Sequence, residues 1–105
     1  MATAWVYVIN NGSGIPNVVR RSHSTTTVTQ VQAGEYIVTF PRAVHNLTCV
    51  ATLNNSVGTI TAVPGENSGL SPNQVRVLTL TLGNQLLGSY DFSLAVFYRP
   101  RQKPN

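Results

Sequence analysis

The side chains able to do acid–base, nucleophilic or metal chemistry are few in this chain. They are His23, His45, Cys49, Glu35, Glu66 and Asp91. A cupin-type metal site needs a close His-x-His pair with a following Glu, and the two histidines stand far apart with no acid beside either. A Ser–His–Asp arrangement would have to use Asp91, the sole aspartate, and a Cys–His pair would have to use Cys49. Cys49 falls on the apolar side of its segment, where a cysteine behaves as a small buried hydrophobe. Paired carboxylates for glycoside hydrolysis must be drawn from Glu35, which opens a strand, Glu66, which lies in a loop, and Asp91. Gly12-Ser13-Gly14 lacks the lysine and following helix of a phosphate loop. The expectation is a non-enzymatic chain with no catalytic residues, no metal ligands and no cofactor. The remaining catalytic reading is a small enzyme whose site forms at subunit boundaries, where His45 and arginines from neighbours converge.

The charge balance raises a second kind of chemistry. The 105 residues carry seven Lys and Arg against three acids, a formal net charge of +4 with a sequence pI near 9.9. Arg20 and Arg21 form a doublet, Arg42 and Arg76 are isolated, and Arg99, Arg101 and Lys103 occupy a Pro-punctuated tail over 99–105. With so few acids, a handful of arginines suffices for a high pI. A weakly charged surface with a basic tail is the simpler reading; a polyanion site for nucleic acid or acidic glycan is the alternative. No aromatic-plus-basic strand motif of RNA readers is present. One cysteine excludes an intrachain disulfide and a thiolate zinc knuckle. Three Asn-x-Ser/Thr matches, at Asn11, Asn46 and Asn54, are expected by chance in a chain this rich in those residues.

The elements that must position these groups read as strands. Over 34–53, Tyr36, Val38 and Phe40 alternate with Glu35, Ile37 and Thr39, and Leu47, Cys49, Ala51 and Leu53 alternate with Thr48, Val50 and Thr52. This is the period of two that a strand facing a core requires. Similar runs occupy 4–9, 25–32, 58–63, 74–82 and 91–99, with a short edge strand over 18–21. Between them come turn signals such as Asn10-Asn11-Gly12, Ala33-Gly34 (a hairpin), Asn54-Asn55-Ser56 and Pro64-Gly65. No segment shows a helical stripe, and no apolar run approaches the roughly 18 residues of a membrane span. The 5–9 run is too short, and lacks the basic lead-in and cleavage site, for a signal peptide. The expected fold is all-β: one antiparallel β-sandwich domain over 1–105, of jelly-roll type. The stretches 64–73 and 84–90 are expected as surface loops, where binding residues tend to be carried.

Three strands are apolar on both faces. In 4–9, Trp5, Tyr7 and Ile9 oppose Val6 and Val8; in 74–82, Leu78 and Leu80 oppose Val75 and Val77; in 91–99, Phe97 opposes Phe92, Leu94 and Val96. A sandwich has one interior, so the second faces call for another partner. Self-association, with Trp5, Tyr7, Leu78, Leu80 and Phe97 at the interface, would supply it. Closed symmetry is the usual outcome, and a homotrimer is expected.

The segment 34–44 (GEYIVTFPRAV), then Cys49-Val50-Ala51-Thr52, then Phe92-Ser93-Leu94-Ala95-Val96-Phe97, resembles a bacterial and phage-associated β-domain. Its pattern is G-x-Y-x-V-x-F-x-R-x-V, a cysteine, V-A-T and a closing F-x-L-A-V, and 4–8 resembles its first strand. The resemblance implies a trimerising jelly-roll head similar to the tumour-necrosis-factor and complement-head folds, with no catalytic residues to transfer. That pattern often ends in a second cysteine near the position of Tyr98; here the position is aromatic, so the disulfide to Cys49 that the resemblance implies is lost. The expected function is a structural or adhesive head, extracellular, on a cell surface or on a virion. It would bind a glycan or protein through its loops and arginine-bearing edge, with Asn67, Tyr90, Arg20, Arg21, Arg99 and Arg101 as the ligand-binding residues and no membrane insertion.

Overall fold

The computed structural model describes residues 2–10, 16–43, 45–54, 58–80 and 91–99. Eight strands follow one another: β1 (Ala2–Asn10), β2 (Pro16–Arg21), β3 (Thr27–Gln32), β4 (Glu35–Thr39), β5 (His45–Leu53), β6 (Thr59–Pro64), β7 (Gln74–Leu80) and β8 (Phe92–Arg99). A 3-10 turn over Gly65–Asn67 interrupts the β6–β7 connection. The strands form two antiparallel four-stranded sheets, one in the order β2-β1-β8-β5 and the other in the order β3-β4-β7-β6. The chain is thus an all-β sandwich. Its first and last strands pair at the centre of one sheet, and β4 and β7 pair at the centre of the other.

Alternation decides which side chains meet between the sheets. Val6, Val8, Phe92, Leu94 and Val96 point inward from one sheet; Tyr36, Val38, Phe40, Val75 and Val77 point inward from the other, all essentially inaccessible. Tyr36 and Phe92 meet across the layers with ring centroids 5.2 Å apart, tilted by 46°, a geometry aromatic pairs favour over flat stacking. Cys49, Ala51 and Leu53 of β5 pack against this core from the sheet margin, partly buried. The β3–β4 hairpin turns on Ala33-Gly34, and Gly34 takes φ +80°, the left-handed region that glycine enters without a Cβ penalty. Its carbonyl accepts the Thr79 N–H at 2.8 Å, tying the turn to β7.

Candidate functional site: the outer face of the β2-β1-β8-β5 sheet

Register places three rows of side chains across this face. Trp5, Ala95 and Val50 stand side by side on β1, β8 and β5; Tyr7, Ser93 and Thr52 form the next row, and Thr3, Phe97 and Thr48 the row on the other side. Arg20 of β2 extends the Tyr7 row. Small residues at the middle strand, flanked by large ones, make a trough. Ala95 and Ser93 are its floor, Trp5 and Tyr7 one wall, Val50 and Thr52 the other, enclosing about 370 Å³. A second hollow of about 360 Å³ continues from it past Tyr7 and Arg20 to Ile9 and Val19.

The face is apolar and open. Trp5 is 41% exposed, Val19 47%, Val50 51% and Phe97 37%, and these four account for all but one (Val31) of the large exposed hydrophobics among the described residues. Polar groups sit at its edges. The Asn54 amide donates to Ser93 Oγ at 3.0 Å. At the β2 end, Ser22 Oγ accepts the Trp5 N–H at 2.9 Å and lies 2.8 Å from His23 Nδ1, while the Ser22 N–H donates to the Trp5 carbonyl at 3.0 Å. Ser22 therefore clamps the Trp5 backbone, with His23 as a second partner for its hydroxyl.

The opposite outer face is differently made. Thr27, Thr29, Thr59 and Thr61 are exposed there, and Arg76 stands in register between Ile37 and Val63. Arg76 Nη1 donates to Glu35 Oε2, and Gln32 Nε2 donates to Glu35 Oε1 at 2.7 Å. Leu78 and Leu80 belong to this face and are half-buried. The five residues expected at one interface are thus divided. Trp5, Tyr7 and Phe97 share the trough face; Leu78 and Leu80 lie on the other side of the sandwich.

The expected ligand-binding residues are also dispersed. Arg20 borders the trough. Arg21 donates to the Thr26 carbonyl at 3.0 Å, bracing the β2–β3 crossover. Asn67 is exposed on the 3-10 turn after β6. The backbone of Arg99 pairs with His45 at the end of β8. Tyr90, Arg101, Lys103 and the loop expected over 84–90 lie outside the described residues.

Of the chemistry-bearing groups, His23 borders a small hollow with Tyr98, near the end of β8, whereas Asp91 immediately precedes its start. Along an extended strand that separation is about 23 Å, so these two do not form a relay. Among the described residues no three of His, Cys, Asp and Glu gather. Burial pushes the Cys49 thiol up from near 9 to about 11, which disfavours the nucleophilic thiolate. No helix among the described residues is long and apolar enough to cross a membrane.

Val50, Ala95 and Ser93 escaped the sequence reading as site residues. Their outward positions were legible from alternation, but the trough exists only because β8 lies between β1 and β5, and a neighbour relation between distant segments is not written in any one of them. Compared with protein-family models, with curated proteins and with solved structures, the chain matches none of them.

Proposed function

We propose that this chain is a non-enzymatic β-sandwich module that associates with copies of itself through the trough face into a closed trimer, serving as a structural or adhesive head. One observation carries the reading: Trp5, Val19, Val50 and Phe97 stand exposed on a single sheet face. Scattered surface hydrophobics are ordinary, but a contiguous patch of them marks an interaction surface. Covering a large apolar side chain contributes roughly 1.5–3 kcal/mol when it goes from full exposure to burial, and these four are about halfway along that path. A ring of three repeats the gain at each contact and closes without leaving a free patch. The resemblance of 34–44, 49–52 and 92–97 to trimerising heads supports the order of three.

Light scattering on the purified chain tests it. The expected mass is three times the 11.3 kDa protomer, or a multiple of three. Trp5→Ser with Phe97→Ser, both exposed positions, should remove the threefold multiple while leaving the far-ultraviolet β signature intact. A monomer mass at high micromolar concentration would overturn the proposal.

A further inference from the structure

Among the described residues four strands lie at sheet margins: β2, β3, β5 and β6. An edge strand presents unpaired N–H and C=O groups, and natural sheets blunt such edges with proline, charge, bulges or short length. Three of the four are blunted. β2 carries Pro16, Arg20 and Arg21 and a register shift against β1; β3 has a register shift between Gln30 and Gln32; β6 is short and ends in Pro64. β5 is different. From Thr48 to Leu53 it runs in unbroken register with Phe97 to Phe92 of β8, and that stretch holds no charge, no proline and no glycine. Among the described residues no strand hydrogen-bonds to its outer side, and β6 of the facing sheet is its neighbour at the corner of the sandwich.

The stretch is also close to self-complementary. Read about Val50, Thr48-Cys49-Val50-Ala51-Thr52 has the same residue type at both ends, small residues at both inner positions, and valine at the centre. In an antiparallel pair, directly opposed residues point to the same face. A two-fold centred on Val50 therefore sets Thr48 against Thr52 of the second copy and Val50 against Val50 on the outer face, with Cys49 against Ala51 on the core side. β-Branched and Thr–Thr cross-strand pairs are favourable, and no like charges meet. A two-fold contact demands this kind of self-matching.

We infer that the outer edge of β5 is a second self-association site, at which two copies join antiparallel through residues 48–52 into one continuous eight-stranded sheet. This contact runs along the backbone edge of β5, whereas the trough contact runs across the outer face of the sheet; Val50 belongs to both, so the backbone amides of 48–52 tell the edge contact from the face contact. In the Trp5→Ser/Phe97→Ser variant, which disables the face contact, light scattering from about 10 to about 200 µM should show growth from monomer to dimer by mass action. Adding Val50→Lys, at a half-exposed position, sets two like charges opposite each other and should return the mass to monomer. A double variant that stays monomeric throughout, or a dimer indifferent to Val50→Lys, would overturn the inference. Hydrogen exchange on the unaltered chain gives a reading free of mutation. A bare edge strand protects only alternate amides, so protection of every amide over 48–52, rising with protein concentration, is expected; alternate fast amides at all concentrations would refute it. A wild type whose mass is not a multiple of three would remove the trimer but leave this edge contact standing on the double-variant result.

Discussion

At the scale of residues, Cys49 makes the sharpest statement about pH. Its thiol lies against the core from β5, and burial raises its pKa from near 9 to about 11. In the unfolded chain the thiol ionises near its ordinary value, so from about pH 9 upward the unfolded state sheds a proton that the folded state keeps. Linkage then lowers stability as pH rises through that window; below pH 9 the contribution is fully present. Tyr36, raised by burial first and by the Asp91 charge second, acts in the same direction. Melting temperature measured from pH 7 to about pH 11 should fall at the alkaline end, and Cys49→Ala should flatten part of that fall, with the Tyr36 share remaining. At pH 7.5 the folded thiol should react with alkylating reagents far more slowly than the denatured one. The inward position of Cys49 was legible from its alternation with Thr48 and Val50. Its half-burial, in place of full enclosure, was not, because that follows from β5 lying at the sheet margin.

At the scale of elements, two glycines and one ion pair hold connections that apolar patterning does not explain. Gly34 takes positive φ at the β3–β4 turn; Gly34→Ala should cost about 1–2 kcal/mol from the left-handed conformation alone. Gly65 is tighter: a Cβ there would lie 2.3 Å from the Ser71 carbonyl oxygen and 2.4 Å from that of Gln74. Gly65→Ala must push the β6–β7 connection open, at about 1–3 kcal/mol, and urea unfolding should rank it at or below Gly34→Ala in stability. Arg76→Met strips the buried Glu35 carboxylate of its guanidinium donor and leaves it the Gln32 amide. The expected loss is about 1.5–3 kcal/mol, and Glu35→Gln in the same chain should recover part of it. The strands themselves were well marked: the inward sets of β1, β4, β7 and β8 match the alternation read from the chain. The division of Leu78 and Leu80 from Trp5 and Phe97 was hidden. Alternation shows that a strand has two sides but not which sheet it joins.

At the scale of the whole molecule, charge and apolar surface make opposite forecasts about salt. Polyanion binding through arginines weakens steeply as counterions compete. Association through Trp5, Val50 and Phe97 should be unchanged or strengthened between about 50 and about 500 mM NaCl, since screening acts on charges and excluded salts favour apolar burial. Sedimentation across that range separates the two. Among the described residues Arg76 is charge-paired with Glu35, whereas Arg21 bonds a neutral carbonyl and keeps its charge beside Arg20. An excess of oily strand surface was legible from composition and alternation. The trough was not, since it arises where two distant segments flank the small residues of a third.

The unequal margins of the trough sheet carry one more consequence. A ribbon that lengthens copy by copy needs a sticky border on both flanks, and here Pro16, the arginine doublet and the shifted register deny one of them. Growth by strand addition at the permissive border terminates at a pair, with two guarded rims facing outward, so edge pairing by itself should yield pairs and not fibrils.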